Sequence, residues 1–257
     1  MIKFRIPILT AAFYSAVILT YPAAAQTAGF TDEQRKAIGE IAREYLLKNP
    51  EVLQEMMTEL ERRNAEAQTR SQAEVLRTEK NTIFNSPSDY VIGNPQGDVT
   101  LVEFLDYNCP YCKKAAADVK ALITADPKLR VVLKEFPVLG PQSLEASRVA
   151  LAARQQLKGD RLLEYHTRLM QMRGQVDGAK AKAVAKDMGL DIAQLDKDIE
   201  SPSGRSVIEA NALLADKLGL SGTPAFVIGD QVIAGAVGPE PLRQAIANVR
   251  SCGKAQC

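Results

Sequence analysis

Val99-Thr100-Leu101-Val102-Glu103-Phe104-Leu105-Asp106-Tyr107-Asn108-Cys109-Pro110-Tyr111-Cys112 is the stretch on which the reading of the whole chain turns. Both alternating faces of residues 99–105 are mainly apolar, as in a central strand covered on two sides, with the acid Glu103 inside it. Pro110 suits the first position of a helix, where its missing N–H costs nothing, so Cys109 falls at the N-cap. There the sulfur meets unpaired backbone N–H groups and the positive end of the helix dipole, both of which favour thiolate over thiol. That makes Cys109 the expected attacking sulfur. Cys112, three residues on along the same helix, lies at a separation compatible with disulfide geometry, so it can resolve a mixed disulfide formed at Cys109. An inert structural disulfide is the weaker reading, because so short a closure constrains the unfolded chain little. Zinc would need Cys252 and Cys257 as the second pair, and four intervening residues without a nearby His do not suit it. No metal site is expected.

Upstream of this stretch, Tyr90-Val91-Ile92 reads as a strand, and Gly93 to Asp98 as a turn. Downstream, a helix is expected from Pro110 to about Thr124 and a strand from Arg130 to Phe136. Helical patterning continues over Ser143 to Leu157, Arg161 to Met172, Lys180 to Met188 and Arg205 to Leu218. Strand signals return at Ala225 to Ile228 and Gln231 to Ala234, and a last helix runs from Pro239 to Val249. Strand, helix, strand, helical insert, hairpin, helix is an α/β domain with an inserted helical subdomain at about 141–219.

The chain starts differently. Met1 to Arg5 is basic, Ile6 to Tyr21 is uncharged and largely apolar, and Pro22-Ala23-Ala24-Ala25-Gln26 supplies an A-x-A arrangement. Residues 1–25 therefore read as a cleaved secretory signal, which puts the cysteines in an oxidising compartment. Thr31 with Gln34 forms a capping box ahead of a helix expected over Asp32 to Lys48, and Asn49-Pro50 breaks it. Leu53, Met56, Met57 and Leu60 then make a narrow apolar stripe, whereas Glu61 to Lys80 is charged and expected to bury little. Residues 26–87 read as an exposed helical stalk whose stripe suggests self-association into a homo-oligomer. Asn85-Ser86-Pro87-Ser88 reads as a linker.

The count of 32 basic and 31 acidic groups in 257 residues offers no pull on polyanions, so no nucleic-acid partner is expected. One histidine and no tryptophan leave too little His for zinc hydrolysis, His-based triads or haem.

Asp98 to Asn108 before the cysteine pair, together with Ser221-Gly222-Thr223-Pro224-Ala225-Phe226, resembles the two signatures of the thioredoxin superfamily. The resemblance is to its periplasmic DsbA-like proteins, over about residues 88–250. With the N-terminal helices added, the chain is most similar to the stalked ScsC (suppressor of copper sensitivity) proteins. The resemblance implies a thioredoxin-like α/β fold with an inserted helical subdomain behind an N-terminal helical stalk, and a periplasmic thiol–disulfide oxidoreductase without a cofactor. It implies Cys109 and Cys112 as the redox-active disulfide, and Glu103 as a buried acid that assists the resolving cysteine. Pro224 would be a cis-proline facing the disulfide, with Thr223 offering its backbone, and Pro110 and Tyr111 flanking the bound client. Pro110-Tyr111 departs from the Pro-His of strongly oxidising DsbA enzymes. Isomerisation or reduction is therefore expected ahead of oxidation, with a copper-handling thiol protein as a further alternative. The expected partners are cysteine-containing secreted clients, a membrane redox partner and, in the copper reading, Cu(I).

Cys252 and Cys257, in the tail 251–257, are expected to close a second disulfide, with exchange with the active pair or Cu(I) binding as the sharper alternative. Lys134 is a candidate partner of Glu103, or a solvated lysine. His166 reads as a packed or surface helix residue, and Met56 and Met57 as stripe residues.

Overall fold

The computed structural model describes residues 29–257, so the leader expected at 1–25 lies outside the described residues. The chain divides into two compact units after Glu59.

In the first unit, α1 (Asp32–Lys48) begins at Thr31, whose hydroxyl accepts from the Gln34 N–H at 3.2 Å while Gln34 Oε1 accepts from the Thr31 N–H at 2.9 Å. The helix stops at Asn49, and Pro50 leads into α2 (Glu51–Thr78), a helix of 28 residues of which the part after Glu59 belongs to the second unit. No residue of α1 is buried, and Ile38, Ile41, Tyr45, Leu46, Leu47, Leu53, Met56 and Met57 are all exposed.

The second unit, Leu60 to Cys257, is built on a five-stranded sheet of order β1-β3-β2-β4-β5. Its strands are β1 (Tyr90–Gly93), β2 (Val99–Leu105), β3 (Leu129–Glu135), β4 (Ala225–Ile228) and β5 (Gln231–Ala234). Only β2 and β3 pair parallel, across the crossover helix α4 (Pro110–Ala125). The other pairings are antiparallel. Between β3 and β4 run α5 (Pro141–Ala153), α6 (Asp160–Gln171), α7 (Gly178–Asp187), α8 (Ile192–Glu200) and α9 (Pro202–Lys217). After β5 comes α10 (Pro239–Cys252). Its end is tied by a Cys252–Cys257 disulfide, and the tail between them is anchored by the Ala255 N–H, which donates to Asp230 at 2.9 Å.

The sheet divides the core in two. Leu101 and Leu105 of β2, Val131 and Leu133 of β3 and Phe226 of β4 face a large cluster that includes α4, α5 and α6. Val102, Phe104, Val132, Ala225 and Val227 face the reverse side. There Leu76 of α2, Ile83 and Phe84 of α3 (Lys80–Phe84), and Leu214, Ala215 and Leu218 close a second cluster. The charged stretch 61–80 thus does contribute to a core. Its apolar contribution is sparse but falls on one face, and it continues beyond Thr78 into α3, a short helix that propensity alone does not announce.

The pairing of Lys134 with Glu103 is corrected by the register. Lys134 lies opposite Phe104, so it points to the reverse face, whereas Glu103, one residue earlier, points to the α4 side. Lys134 Nζ instead donates to both Asp89 oxygens, at 2.9 and 2.8 Å, and to the Thr82 carbonyl at 2.9 Å. Both side chains are almost fully buried, at 1% and 2% exposure. Removing one partner of such a pair leaves an uncompensated charge, so Asp89→Ala should lower the unfolding free energy in urea by about 3–5 kcal/mol. Adding Lys134→Met should recover most of that loss; a single-variant loss below about 1 kcal/mol would show that the pair carries no such weight.

Candidate active site

The C-terminal end of β2 hands over to α4 through a loop fixed at several points. Asp106, fully buried, accepts from the Asn108 N–H at 2.7 Å with one oxygen and from the Val138 and Leu139 N–H groups at 2.9 Å with the other. Asn108 reaches across to the helical insert, donating to Ser143 Oγ at 3.0 Å and the Val176 carbonyl at 2.8 Å and accepting from the Val176 N–H at 2.6 Å. Cys109 is the N-cap of α4 and Pro110 its first helical residue.

The two cysteines are reduced and unequal. Cys109 is 5% exposed, next to the exposed Pro110 and Tyr111, whereas Cys112 is completely enclosed. Cys109 Sγ donates to the Thr223 carbonyl at 3.1 Å. The Thr223–Pro224 peptide bond is cis, and the loop before β4 presents the Thr223 carbonyl to the outer sulfur. Burial pushes the Cys112 thiol far up, and the neighbouring Glu103 charge adds to it. It is a sulfur held as thiol until a base and an electrophile meet it.

Glu103 lies on the same sheet face as Cys112, fully buried, with no hydrogen-bond partner on either carboxylate oxygen. Burial, and secondarily the charge of Glu135, push its carboxyl up to about 8. That is where a group exchanging protons near neutral pH works best.

Glu135 is a site residue that the sequence does not single out. It is fully buried at the end of β3, with Tyr107 Oη donating at 2.9 Å and Ser147 Oγ at 2.6 Å, and burial raises it to about 8. Alternation along Leu129, Val131 and Leu133 would have placed it on the redox face beside Glu103. His166 is buried against Tyr107, ring centroids 5.8 Å apart, with both nitrogens unpartnered and burial lowering it to about 4. It is neutral at physiological pH.

Cys109, Cys112, Thr223, Pro224 and Glu103 are thus assembled at one end of the sheet, with Pro110 and Tyr111 on the rim. Cys252 and Cys257 are disulfide-bonded in the tail beyond α10. Among the described residues, no group of three or more His, Cys, Asp or Glu is arranged to hold a metal ion. Among them, too, no helix is long and apolar enough to cross a membrane.

Residues 100–247, more than half of the chain, match the family described as DSBA-like thioredoxin domain. The chain belongs to the DsbA-like thioredoxin family. A second match, over residues 34–67, is to the copper resistance protein ScsC N-terminal domain. The DsbA-like domain also has solved counterparts. A thioredoxin-like oxidoreductase from Silicibacter pomeroyi DSS-3 is 43% identical, over 67% of this chain and 98% of that one, with a TM-score of 0.63. A linker-deletion variant of ScsC from Proteus mirabilis is 29% identical, over 84% of this chain and 95% of that one, with a TM-score of 0.62. A curated relative, the thiol:disulfide interchange protein DsbA of Bordetella parapertussis, is 27% identical over 55% of this chain and 68% of that protein. The chain spans about a quarter (24%) of the length of the curated relatives it matches first, Na(+)/H(+) antiporters NhaA from Salinispora.

Proposed function

We propose that this DsbA-like protein is a periplasmic thiol–disulfide oxidoreductase that reduces and isomerises disulfides in secreted clients. The observation that carries the reading is the asymmetry of the pair: Cys109 at the helix mouth against the cis-proline loop, Cys112 sealed behind it. Cys109 thiolate attacks one sulfur of a client disulfide, forming a mixed disulfide and releasing the client's other sulfur as thiolate. Cys112 then gives its proton to ionised Glu103 and attacks Cys109 Sγ. The first client sulfur leaves as thiolate and takes up a proton, and the Cys109–Cys112 disulfide remains. A membrane partner supplying two electrons resets the pair. In isomerisation the released client thiolate itself resolves the mixed disulfide, and Cys112 is not consumed.

Self-association through residues 26–87 fits the exposed apolar residues of α1 and the first turns of α2: two helices that bury none of Ile41, Tyr45, Leu53, Met56 or Met57 within their own chain want a second copy. Several thiol pairs around one client would allow repeated attack. The ScsC match covers this helical segment and not the cysteines, so it supports the stalk more than copper binding.

The test is reactivation of scrambled ribonuclease by the chain from Gln26, beside a Leu53→Glu, Met57→Glu variant. Point changes are preferable to truncation at Pro87, which would strip Leu76, Ile83 and Phe84 from the reverse face of the sheet. The variant should sediment as a monomer and lose most reactivation while still oxidising reduced ribonuclease. A monomeric variant that reactivates as well as the parent sinks the oligomeric isomerase. If both forms oxidise and neither reactivates, the dithiol oxidase reading replaces it.

A further inference from the structure

The loop that faces Cys109 is held from behind by α2. Gln72 Nε2 donates to the Leu218 carbonyl at 2.9 Å, joining residues 146 positions apart in sequence. One turn earlier, Gln68 closes on Gly219, whose φ of +64° is in the left-handed region; a Cβ there would stand 3.2 Å from Gln68 Nε2. Further along, the Glu79 carboxylate pairs with the Lys217 ammonium. These groups therefore gather at the C-terminal end of α9 and the two residues that follow it.

The segment after that turn has little support of its own. Leu220 N–H closes back on the Ala215 carbonyl at 2.9 Å, and the Pro224 carbonyl accepts from the Gly235 N–H at 2.8 Å. Between them Ser221, Gly222 and Thr223 make no backbone–backbone hydrogen bond among the described residues. Apart from the Cys109 thiol that donates to its carbonyl, Thr223 is positioned by where these two anchors stand, and one of them is the helix end that Gln72 grips. Gln68 and Gln72 also wall a groove of about 330 Å³ together with Gly219 to Ala225, Val232, Ala234 and Gly235. This groove runs up to the residues against which a client chain attached to Cys109 must lie.

We propose that Gln72 is a positioning residue for client exchange: its hydrogen bond to Leu218 fixes the anchor of the cis-proline loop, and so the backbone that an extended client segment pairs with. The proposal rests on the thiol–disulfide exchange reading and assigns part of α2 to the client site. A reagent without a peptide chain has nothing to pair with the loop and meets Gln72 only through the contact of the Thr223 carbonyl with Cys109, so it should depend on Gln72 far less than a peptide does.

The test uses the full chain with Gln72→Glu, which keeps the size but offers no donor to Leu218, and Gln72→Lys, which keeps an N–H. Two substrates are compared, a disulfide-linked peptide and 2-hydroxyethyl disulfide. Loss of one hydrogen bond should raise KM for the peptide about two- to tenfold in Gln72→Glu. The rate with 2-hydroxyethyl disulfide should change by less than about twofold, the melting temperature should fall by no more than the few degrees that one part-buried hydrogen bond accounts for, and Gln72→Lys should restore the peptide KM. An unchanged peptide KM in Gln72→Glu overturns the proposal. So does an equal loss on both substrates with a lowered melting temperature, which would mark a purely structural contact. A parent chain inert towards both disulfides would overturn the exchange reading itself, a result visible before any variant is made.

Discussion

Cys112→Ser should turn the protein into a trap. With the enclosed thiol gone, Cys109 still attacks a client disulfide, but nothing inside the protein can expel the client again. Client adducts that vanish on reduction should therefore accumulate on non-reducing gels of extracts from cells that produce the variant. Cys109→Ser should reduce exchange to the uncatalysed rate, because Cys112 is completely buried and meets no client. The pair of variants also separates chemistry from storage. If the two sulfurs served only to hold Cu(I), to which thiolates are suited, Cys112→Ser would weaken metal binding and leave no client adducts. A Cys112→Ser chain that forms no mixed disulfide would thus remove the oxidoreductase reading.

Glu103→Gln should stabilise the reduced protein at alkaline pH while slowing resolution. The folded-state carboxyl sits at about 8 against an ordinary 4.5, raised by burial and then by Glu135. A carboxyl raised on folding costs nothing below about pH 4.5, where both states are protonated, and its cost grows as pH climbs through 8. The full gap corresponds to roughly 4–5 kcal/mol, so urea unfolding at pH 9 should show the variant more stable than the parent by an amount of this order. At pH 4 the two should coincide. Alkylation of Cys109 should be unaffected, while closure of the Cys109–Cys112 disulfide from a mixed disulfide slows by about tenfold or more. Equal stability of the two proteins from pH 4 to 9 would show that Glu103 is not desolvated as the fold implies.

Much of this site is legible in the chain because its grammar is local. An apolar strand, a cysteine at an N-cap and a proline at the first helical position specify the strand-to-helix handover within 14 residues. Glu103 stands out as an acid in an otherwise apolar run. What escapes is whatever depends on register between distant segments. Whether Lys134 meets Glu103 or Asp89 turns on a single residue of offset between β2 and β3, and nothing local fixes that offset. Glu135 is a different case: alternation within β3 already separates it from Lys134, but an adjacent Lys-Glu step at a strand end looks like ordinary surface charge and hides the signal. The docking of Leu76, Ile83 and Phe84 is hidden for another reason: they are spread across a helix break inside a charged stretch. Gln72 carries no signal at all, since an amide that grips a carbonyl 146 residues away looks like any surface glutamine.

The division of charge between the two faces of the sheet governs how the redox side titrates. A lysine ammonium beside Glu103 would hold its carboxyl ionised at neutral pH and leave Cys112 a permanent, weakly basic acceptor. On the reverse side, bound to Asp89, Lys134 meets its structural need without reaching the redox face. The sheet thus acts as an insulator: the ammonium and its carboxylate partner stay on one side, and the two carboxyls on the other keep the raised values that burial gives them.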